Sequence, residues 1–275
     1  MRREIIANVR KMVPLIHNIT NYVTVNDVAN ILLACGGSPI MADDAREVEE
    51  ITALCSGLNI NIGTLNSRTI DSMIKAGKKA NELGHIVVLD PVGAGASRLR
   101  TDTARRLLEE VHFTVIRGNV SELKTLYGEK SNTKGVNADM ADNVTEENLS
   151  ASVAFVQELS RKTDAVIAMT GAIDIVADGK QAYIIRNGVP MLSKITGTGC
   201  MLSGVVAAYG AANPKYPLEA AAAAVAAMGL CGELAKKRLD HTPEGGTASF
   251  RTFLIDAMSN LDDKMLEEGM KIECR

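Results

Sequence analysis

Apolar runs without alternation recur along the chain, and each closes on a glycine or a polar residue: Ile86-Val87-Val88-Leu89-Asp90, Thr114-Val115-Ile116-Arg117-Gly118 and Ala165-Val166-Ile167-Ala168-Met169-Thr170-Gly171. A strand with one wet face alternates apolar and polar residues, so uninterrupted runs predict strands covered on both faces. Helical repeats lie between them. In the segment Ser67 to Leu83, Ile70, Met73, Ile74 and Gly77 fall at i, i+3, i+4 and i+7, and Thr101 to Val111 repeats the spacing with Ala104, Leu107, Leu108 and Val111. Strand and helix in alternation mean an α/β fold with a mostly parallel central sheet flanked by helices. Asp178-Gly179-Lys180 between two β-rich stretches predicts an antiparallel hairpin over Asp174 to Ile185. The last third reads as helix, from Gly199 to about Asp240 with a break at Pro214 and Pro217, then from Gly246 to about Leu266 after Thr242-Pro243-Glu244-Gly245-Gly246. The polar, Gly/Asn-rich stretch Gly128 to Asn143 is an excursion, since the α/β pattern resumes after it. One domain over 1–275 is the expectation.

Composition narrows the function classes. The chain has 275 residues, 46% of them hydrophobic and 23% charged, enough for a sizeable core and incompatible with intrinsic disorder. Its net charge of −3 offers no electrostatic footprint for nucleic acid or an anionic membrane. Aromatics at 3%, without Trp, argue against a base-stacking or aromatic-cage binder. The apolar run Ala220 to Cys231 is shorter than the ~20 residues of a membrane span and reads as a buried helix. With no signal-peptide pattern after Met1, the expected location is the cytoplasm. Five cysteines, at 35, 55, 200, 231 and 274, make an odd count without a CxxC pair and fit reduced thiols.

In a parallel sheet, ligands bind beyond the carboxyl ends of the strands, which directs attention to Asp90, Arg117, Asn119, Glu122, Thr170 and Gly171. Asp90 precedes Pro91-Val92-Gly93-Ala94-Gly95 and either starts a turn or holds a carboxylate at the sheet rim. Asn119-Val120-Ser121-Glu122 matches a helix capping box, yet two carboxylates on neighbouring strand ends are also how proteins hold Mg²⁺, together with phosphate oxygens and water. The strongest local signal is Ile195-Thr196-Gly197-Thr198-Gly199-Cys200, opening a helix from Met201 to Ala212. Its glycines let backbone amides approach a ligand, and the helix terminus adds positive partial charge, so Thr198 and Gly199 belong to a candidate anion hole for a phosphoryl group. It is neither a Walker A loop nor G-x-G-x-x-G, and it sits late in the chain. His17, alone in an apolar strand, is expected to be a core residue and not a ligand.

A late glycine-rich anion hole, a central Asn-x-x-Glu and an Asp at a preceding strand end resemble the ribokinase-like superfamily of small-molecule kinases. The blocks Pro14-Leu15-Ile16-His17-Asn18-Ile19-Thr20-Asn21-Tyr22-Val23-Thr24, Gly37-Ser38-Pro39-Ile40-Met41-Ala42, Asn61-Ile62-Gly63-Thr64-Leu65, Leu89 to Gly95 and Thr196 to Cys200 are, within it, similar to the motifs of the hydroxyethylthiazole kinase family, in the family's order. The resemblance implies a ribokinase-like three-layer sandwich without a separate lid domain. The implied reaction is ATP-dependent phosphorylation of the hydroxyl of 4-methyl-5-(2-hydroxyethyl)thiazole in thiamin salvage. It implies Mg²⁺ at Asp90 and Glu122, ATP at Arg117 and Thr170, and the thiazole at Met41, Gly197 and Asn21. It also implies a homotrimer whose subunits complete one another's sites.

Cys200 stands where most of the superfamily carries an Asp that accepts the substrate hydroxyl's proton. A helix amino terminus lowers a thiol's pKa, so Cys200 is expected to be a weak base or a positioning group. Two other readings compete. One is another ribokinase-like enzyme, a hydroxymethylpyrimidine or pyridoxal kinase or an NAD(P)H-hydrate dehydratase, which the Asn18 to Thr24 block and Cys200 disfavour. The other is a non-catalytic nucleotide-binding subunit, which would have no use for the Asp90 and Glu122 pair.

Overall fold

The computed structural model of the protein describes residues 4–128 and 143–275. Most of the polar excursion at Gly128 to Asn143 thus lies outside the described residues. The apolar runs become the middle of a nine-stranded sheet: β4 (Ile86–Asp90), β5 (Val115–Asn119) and β6 (Val166–Thr170) follow β1 (Leu15–Ile19), β2 (Ser38–Met41) and β3 (Gly57–Asn61). These six pair in parallel in the order β2-β1-β3-β4-β5-β6. The hairpin β7 (Asp174–Ala177) and β8 (Ala182–Ile185) adds antiparallel strands as its turn chemistry predicts. Beyond it β9 (Ile272–Cys274) pairs with β8, a strand too short and too polar to stand out in the sequence.

Helices cover both faces. On one face lie α1 (Ile5–Met12), α2 (Val25–Cys35), α8 (Thr198–Ala212), α9 (Pro217–Asp240) and α10 (Thr247–Asn260), whose apolar residues share a core with Ile16, Val88, Val115 and Ala168. On the other lie α3 (Val48–Leu54), α4 (Ser67–Glu82), α5 (Arg98–Glu110), α6 (Val120–Tyr127) and α7 (Leu149–Thr163), over Leu58, Leu89, Ile116 and Ile167. Strand residues alternate between the two cores, which is why no polar residue interrupts the central runs. The second helical stretch is divided where the Asp262 side chain accepts the Met265 N–H and starts α11 (Asp263–Gly269). Pro217 is the first residue of α9, where its missing N–H costs nothing. The helix α9 is long and apolar enough to cross a membrane, yet it is mostly buried, and residues 220–232 form part of the core.

Strand order reverses between β1 and β3, since β1 leads to β2 on one side and the chain returns to pair β3 on the other. The two connecting helices, α2 and α3, therefore lie on opposite faces. Such a switch point leaves a crevice at the carboxyl ends of the strands. The amino terminus of α8 closes it from above, because α8 packs directly over β1, β3 and β4. Small residues permit that approach: a Cβ at Gly210 would lie 3.0 Å from Ile86 Cγ2, and one at Gly57 3.4 Å from the Ala211 Cβ.

The same close packing predicts a stability cost at Gly229 in α9, where a Cβ would lie 2.7 Å from the Asn187 carbonyl oxygen. Alanine gains ~1 kcal/mol of helix propensity, but overpacking against backbone costs ~1–3 kcal/mol. Gly229→Ala is therefore expected to lower the urea midpoint. An equal or higher midpoint would show that Asn187 yields.

Candidate active site

At the carboxyl edge of the sheet the residues facing α8 are polar. Asn61 on β3 is in register with Asp90 on β4, and Leu89 pairs Ile116, which places Asp90 beside Arg117 of β5. Thr170 ends β6, and Arg117 donates to its Oγ1 at 2.7 Å. Asp90 is fully buried. Its Oδ2 accepts hydrogen bonds from Asn61 Nδ2 at 2.9 Å and Ser203 Oγ at 2.8 Å, while its Oδ1 is buried without a hydrogen-bond partner. Arg117 approaches that free oxygen to 3.6 Å, too far for a hydrogen bond but close enough for attraction. Burial raises the Asp90 pKa above the ordinary carboxylate range, and the Arg117 charge opposes the rise.

Glu122 is both a cap and a site carboxylate. Asn119 Oδ1 accepts the Glu122 N–H and Glu122 Oε2 accepts the Asn119 N–H, which completes the capping box of α6. Its other oxygen, Oε1, accepts the Gly93 N–H from the loop after β4. Gly93 has φ +73°, which a side chain rarely tolerates. Arg100 braces the same loop, donating to Gly63 O at 2.6 Å and to Val92 O at 3.4 Å. Burial, and then the charge of Asp90, push the Glu122 carboxyl up to about 7. Two buried carboxylates against one guanidinium leave the site short of positive charge. The oxygen-only donors and the unpartnered Asp90 Oδ1 fit a hard divalent cation whose remaining ligands come from phosphate and water. Among the described residues no three His, Cys, Asp or Glu side chains cluster to hold a metal unaided.

Gly197, at φ +86°, is the N-cap of α8, so Thr198 and Gly199 are its first helical residues and the helix starts three residues before the expected Met201. Met201 is the first to donate back, to Gly197 O, which leaves the N–H groups of Thr198, Gly199 and Cys200 without intrahelical partners. The Thr198 hydroxyl is spent on Leu192 O, so only its amide is available. A Cβ at Gly199 would lie 2.5 Å from Arg117 Nη1, so the glycine is what lets the guanidinium sit beneath the helix. Asp90, Glu122, Arg117, Thr170, Thr198 and Gly199 thus converge.

The remaining candidates divide. A Cβ at Gly197 would lie 2.5 Å from Thr24 Cγ2, and one at Gly63 2.3 Å from Asn21 Nδ2, which places Asn21 and Gly197 on the crevice wall over β1 and β3. Met41 ends the edge strand β2, with β1 and β3 between it and β4. Three strand spacings separate its backbone from Asp90 by roughly 14 Å, so the structure does not bring Met41 to the carboxylate cluster. His17 is buried, with Nδ1 at 2.9 Å from Thr52 Oγ1 and Nε2 at 2.8 Å from Ala42 O, a satisfied core residue. Asn61, Ser203, Thr24 and Arg100 were not singled out by sequence. Asn61 and Thr24 carried a signal, as the first and last residues of motif blocks, while Ser203 and Arg100 sit in ordinary helical patterns.

Cys200 lies in the first turn of α8, where a weak base or a positioning group is expected. It is buried, and its thiol pKa is raised, first by burial and then by the Asp90 charge, with hydrogen bonds from Thr24 and Asn61 and the Arg117 charge opposing. Burial likewise pushes Cys35 and Cys55 up to about 11 and Cys231 up to about 12. Only Cys274 of the five is exposed. Titration of the folded protein with an aromatic disulfide at pH 8 is therefore expected to give one fast thiol per chain, lost in Cys274→Ser. A second fast thiol that disappears in Cys200→Ser would contradict the raised pKa at the helix terminus.

Comparison with known proteins agrees with this arrangement. The family model described as "Hydroxyethylthiazole kinase family" matches residues 6–264. A protein named hydroxyethylthiazole kinase from Clostridium acetobutylicum is 60% identical over 273 residues, 99% of each chain. The solved structure of hydroxyethylthiazole kinase from Pyrococcus horikoshii superposes with a TM-score of 0.85 at 35% identity, covering 99% of this chain and 98% of that one. A ribokinase-like superfamily protein from Enterococcus faecalis, at 12% identity and TM-score 0.61 over 94% of this chain and 89% of that one, shares the fold. With a family match over nearly its whole length and that fold around the site, the chain belongs to the hydroxyethylthiazole kinase family.

Proposed function

We propose that the chain catalyses transfer of the γ-phosphoryl group of ATP to the hydroxyl of 4-methyl-5-(2-hydroxyethyl)thiazole, as a step of thiamin salvage. Family membership supports the reaction, and the structural observation that carries it is Asp90 Oδ1, buried without a hydrogen bond and with only the Arg117 guanidinium near it, by the open amino terminus of α8. In this reading residues 1–275 act as one kinase domain in the cytoplasm.

Phosphoryl transfer has a loose transition state, so the protein's task is positioning and charge stabilisation. Asp90 and Glu122 would hold Mg²⁺, directly or through water. When bound, the ion supplies positive charge to the phosphate oxygens. Arg117, oriented by Thr170, adds a fixed cation on the nucleotide side, and the amides of Thr198, Gly199 and Cys200 offer donors where negative charge gathers. The alcohol enters over β1 and β3, past Asn21 and Gly197. A neutral Cys200 acts there as a hydrogen-bonding positioning group more than as a base. The balance of magnitudes agrees: general-base help is worth ~10²–10⁴-fold, whereas orientation of reactants supplies ~7–11 kcal/mol.

Met41 ends the edge strand β2, apart from the Asp90 row. A homotrimer in which Met41 lines a neighbour's crevice accommodates it. The exposed Tyr22 and Val23, beside Asn21, support such an interface.

The decisive assay measures ADP release with the hydroxyethylthiazole, hydroxymethylpyrimidine and pyridoxal, with and without Mg²⁺. Turnover is expected with the thiazole alone, and only with the metal; nucleotide binding without turnover of any alcohol would overturn the reading. Asp90→Asn and Glu122→Gln are each expected to lower kcat by ~10²-fold or more and to shift the Mg²⁺ titration to higher concentration, with little change in thermal stability. An unchanged Mg²⁺ titration would refute the metal assignment.

A further inference from the structure

Asn61 is 1% exposed at the end of β3, on the face that meets α8. Its side chain leaves nothing unsatisfied. Both hydrogens of its amide are used, one on Asp90 Oδ2 at 2.9 Å and one on Cys200 Sγ at 3.2 Å, and its Oδ1 accepts the Gly63 N–H at 2.9 Å. A buried asparagine with all its groups engaged has a single orientation, because turning the amide over would set a carbonyl against the Asp90 carboxylate. The two groups it joins lie on opposite sides of the reaction. In the proposed reaction Asp90 belongs to the metal and nucleotide side, and Cys200, buried in the first turn of α8, to the alcohol side. Ser203 holds the same Asp90 oxygen from α8, so Oδ2 is saturated and Oδ1 is the oxygen left to face the site.

We propose that Asn61 is a positioning residue for the transfer: its one amide, hydrogen-bonded to Asp90 Oδ2 and Cys200 Sγ at once, keeps the metal-side carboxylate and the alcohol-side thiol in register across the seam between β3 and α8. The proposal rests on the kinase reading of this site. The contact to sulfur fixes which way the thiol's own hydrogen and remaining lone pair can point, since the amide hydrogen takes one acceptor direction. The contact to Asp90 fixes the carboxylate plane. Through Gly63, whose N–H it accepts and whose carbonyl Arg100 grips, the same side chain also steadies the loop after β3 against which Asn21 lies. A displacement of about 1 Å at such a junction costs on the order of 10²-fold in rate without weakening binding.

The test is a kinetic double-mutant cycle of Asn61→Ala and Cys200→Ala, with folding checked by thermal unfolding. Asn61→Ala is expected to lower kcat by ~10²-fold while KM for the thiazole alcohol stays within about threefold, and to cost at least about fivefold less in the Cys200→Ala background. Equal costs in the two backgrounds, or a loss confined to KM, would overturn the proposal. Asn61→Ser, which keeps one donor, is expected to recover part of the rate and serves if the alanine variant does not fold. A second readout needs no turnover: the infrared S–H stretching band of Cys200, identified by its loss in Cys200→Ala, is expected to move in Asn61→Ala and Asn61→Ser. An unmoved band would contradict the contact. Absence of turnover by the unsubstituted protein would strike the kinase reading, and the band would then still decide the Asn61 contact.

Discussion

The site depends on a carboxylate kept in the wrong solvent. Asp90 sits at the end of a central strand, fully buried, in a position where an isolated charge would cost several kcal/mol. Two donors to one oxygen and a guanidinium near the other make it tolerable, though not comfortable, since its pKa remains raised. The surroundings follow from that constraint. Asn61 must end β3 in register with Asp90, Ser203 must face it from α8, and Arg117 must stand beside it on β5. A carboxylate so placed costs stability, and the proposed cation would offset that cost on binding. Glu122 belongs to the same logic, because its capping role anchors a carboxyl that burial and Asp90 would otherwise favour protonating.

For α8 to serve, it has to come close. Gly210 and Ala211 meet Ile86 and Gly57 of the sheet closely, and Gly197 and Gly199 remove side chains where Thr24 and Arg117 need the space. The unpaired amides of α8 lie over the row of polar strand ends, so a ligand entering between them meets donors above and charged side chains below.

The strands β4, β5 and β6 were legible because their alternation between two apolar cores leaves no polar residue until the site begins. The first three strands were harder to read, and for a physical reason. His17, Asn18, Asn59 and Asn61 are buried polar residues on β1 and β3, satisfied largely by partners distant in sequence, and such residues break the apolar pattern. The carboxylate pair and the glycine turn were visible as motifs. What the sequence could not supply was Asn61, Ser203 and Arg100 as their supports, because a hydrogen bond between residues 61 and 200 has no local signature. For Cys200 the helix terminus is visible in the sequence, whereas the burial and the neighbouring Asp90 charge that raise its thiol pKa are tertiary facts.

The central claim is that the crevice over β1 and β3 delivers an alcohol to a phosphoryl group held between α8 and the Asp90 row. A crystal structure of the protein with the hydroxyethylthiazole, a non-hydrolysable ATP analogue and Mg²⁺ tests it most directly. The account predicts the alcohol oxygen beside Cys200, the terminal phosphate on the amides of residues 198–200, and the metal reached by Asp90 Oδ1 directly or through one water. A thiazole bound away from Cys200, or a metal held without Asp90 while Oδ1 stays unpartnered, would contradict it.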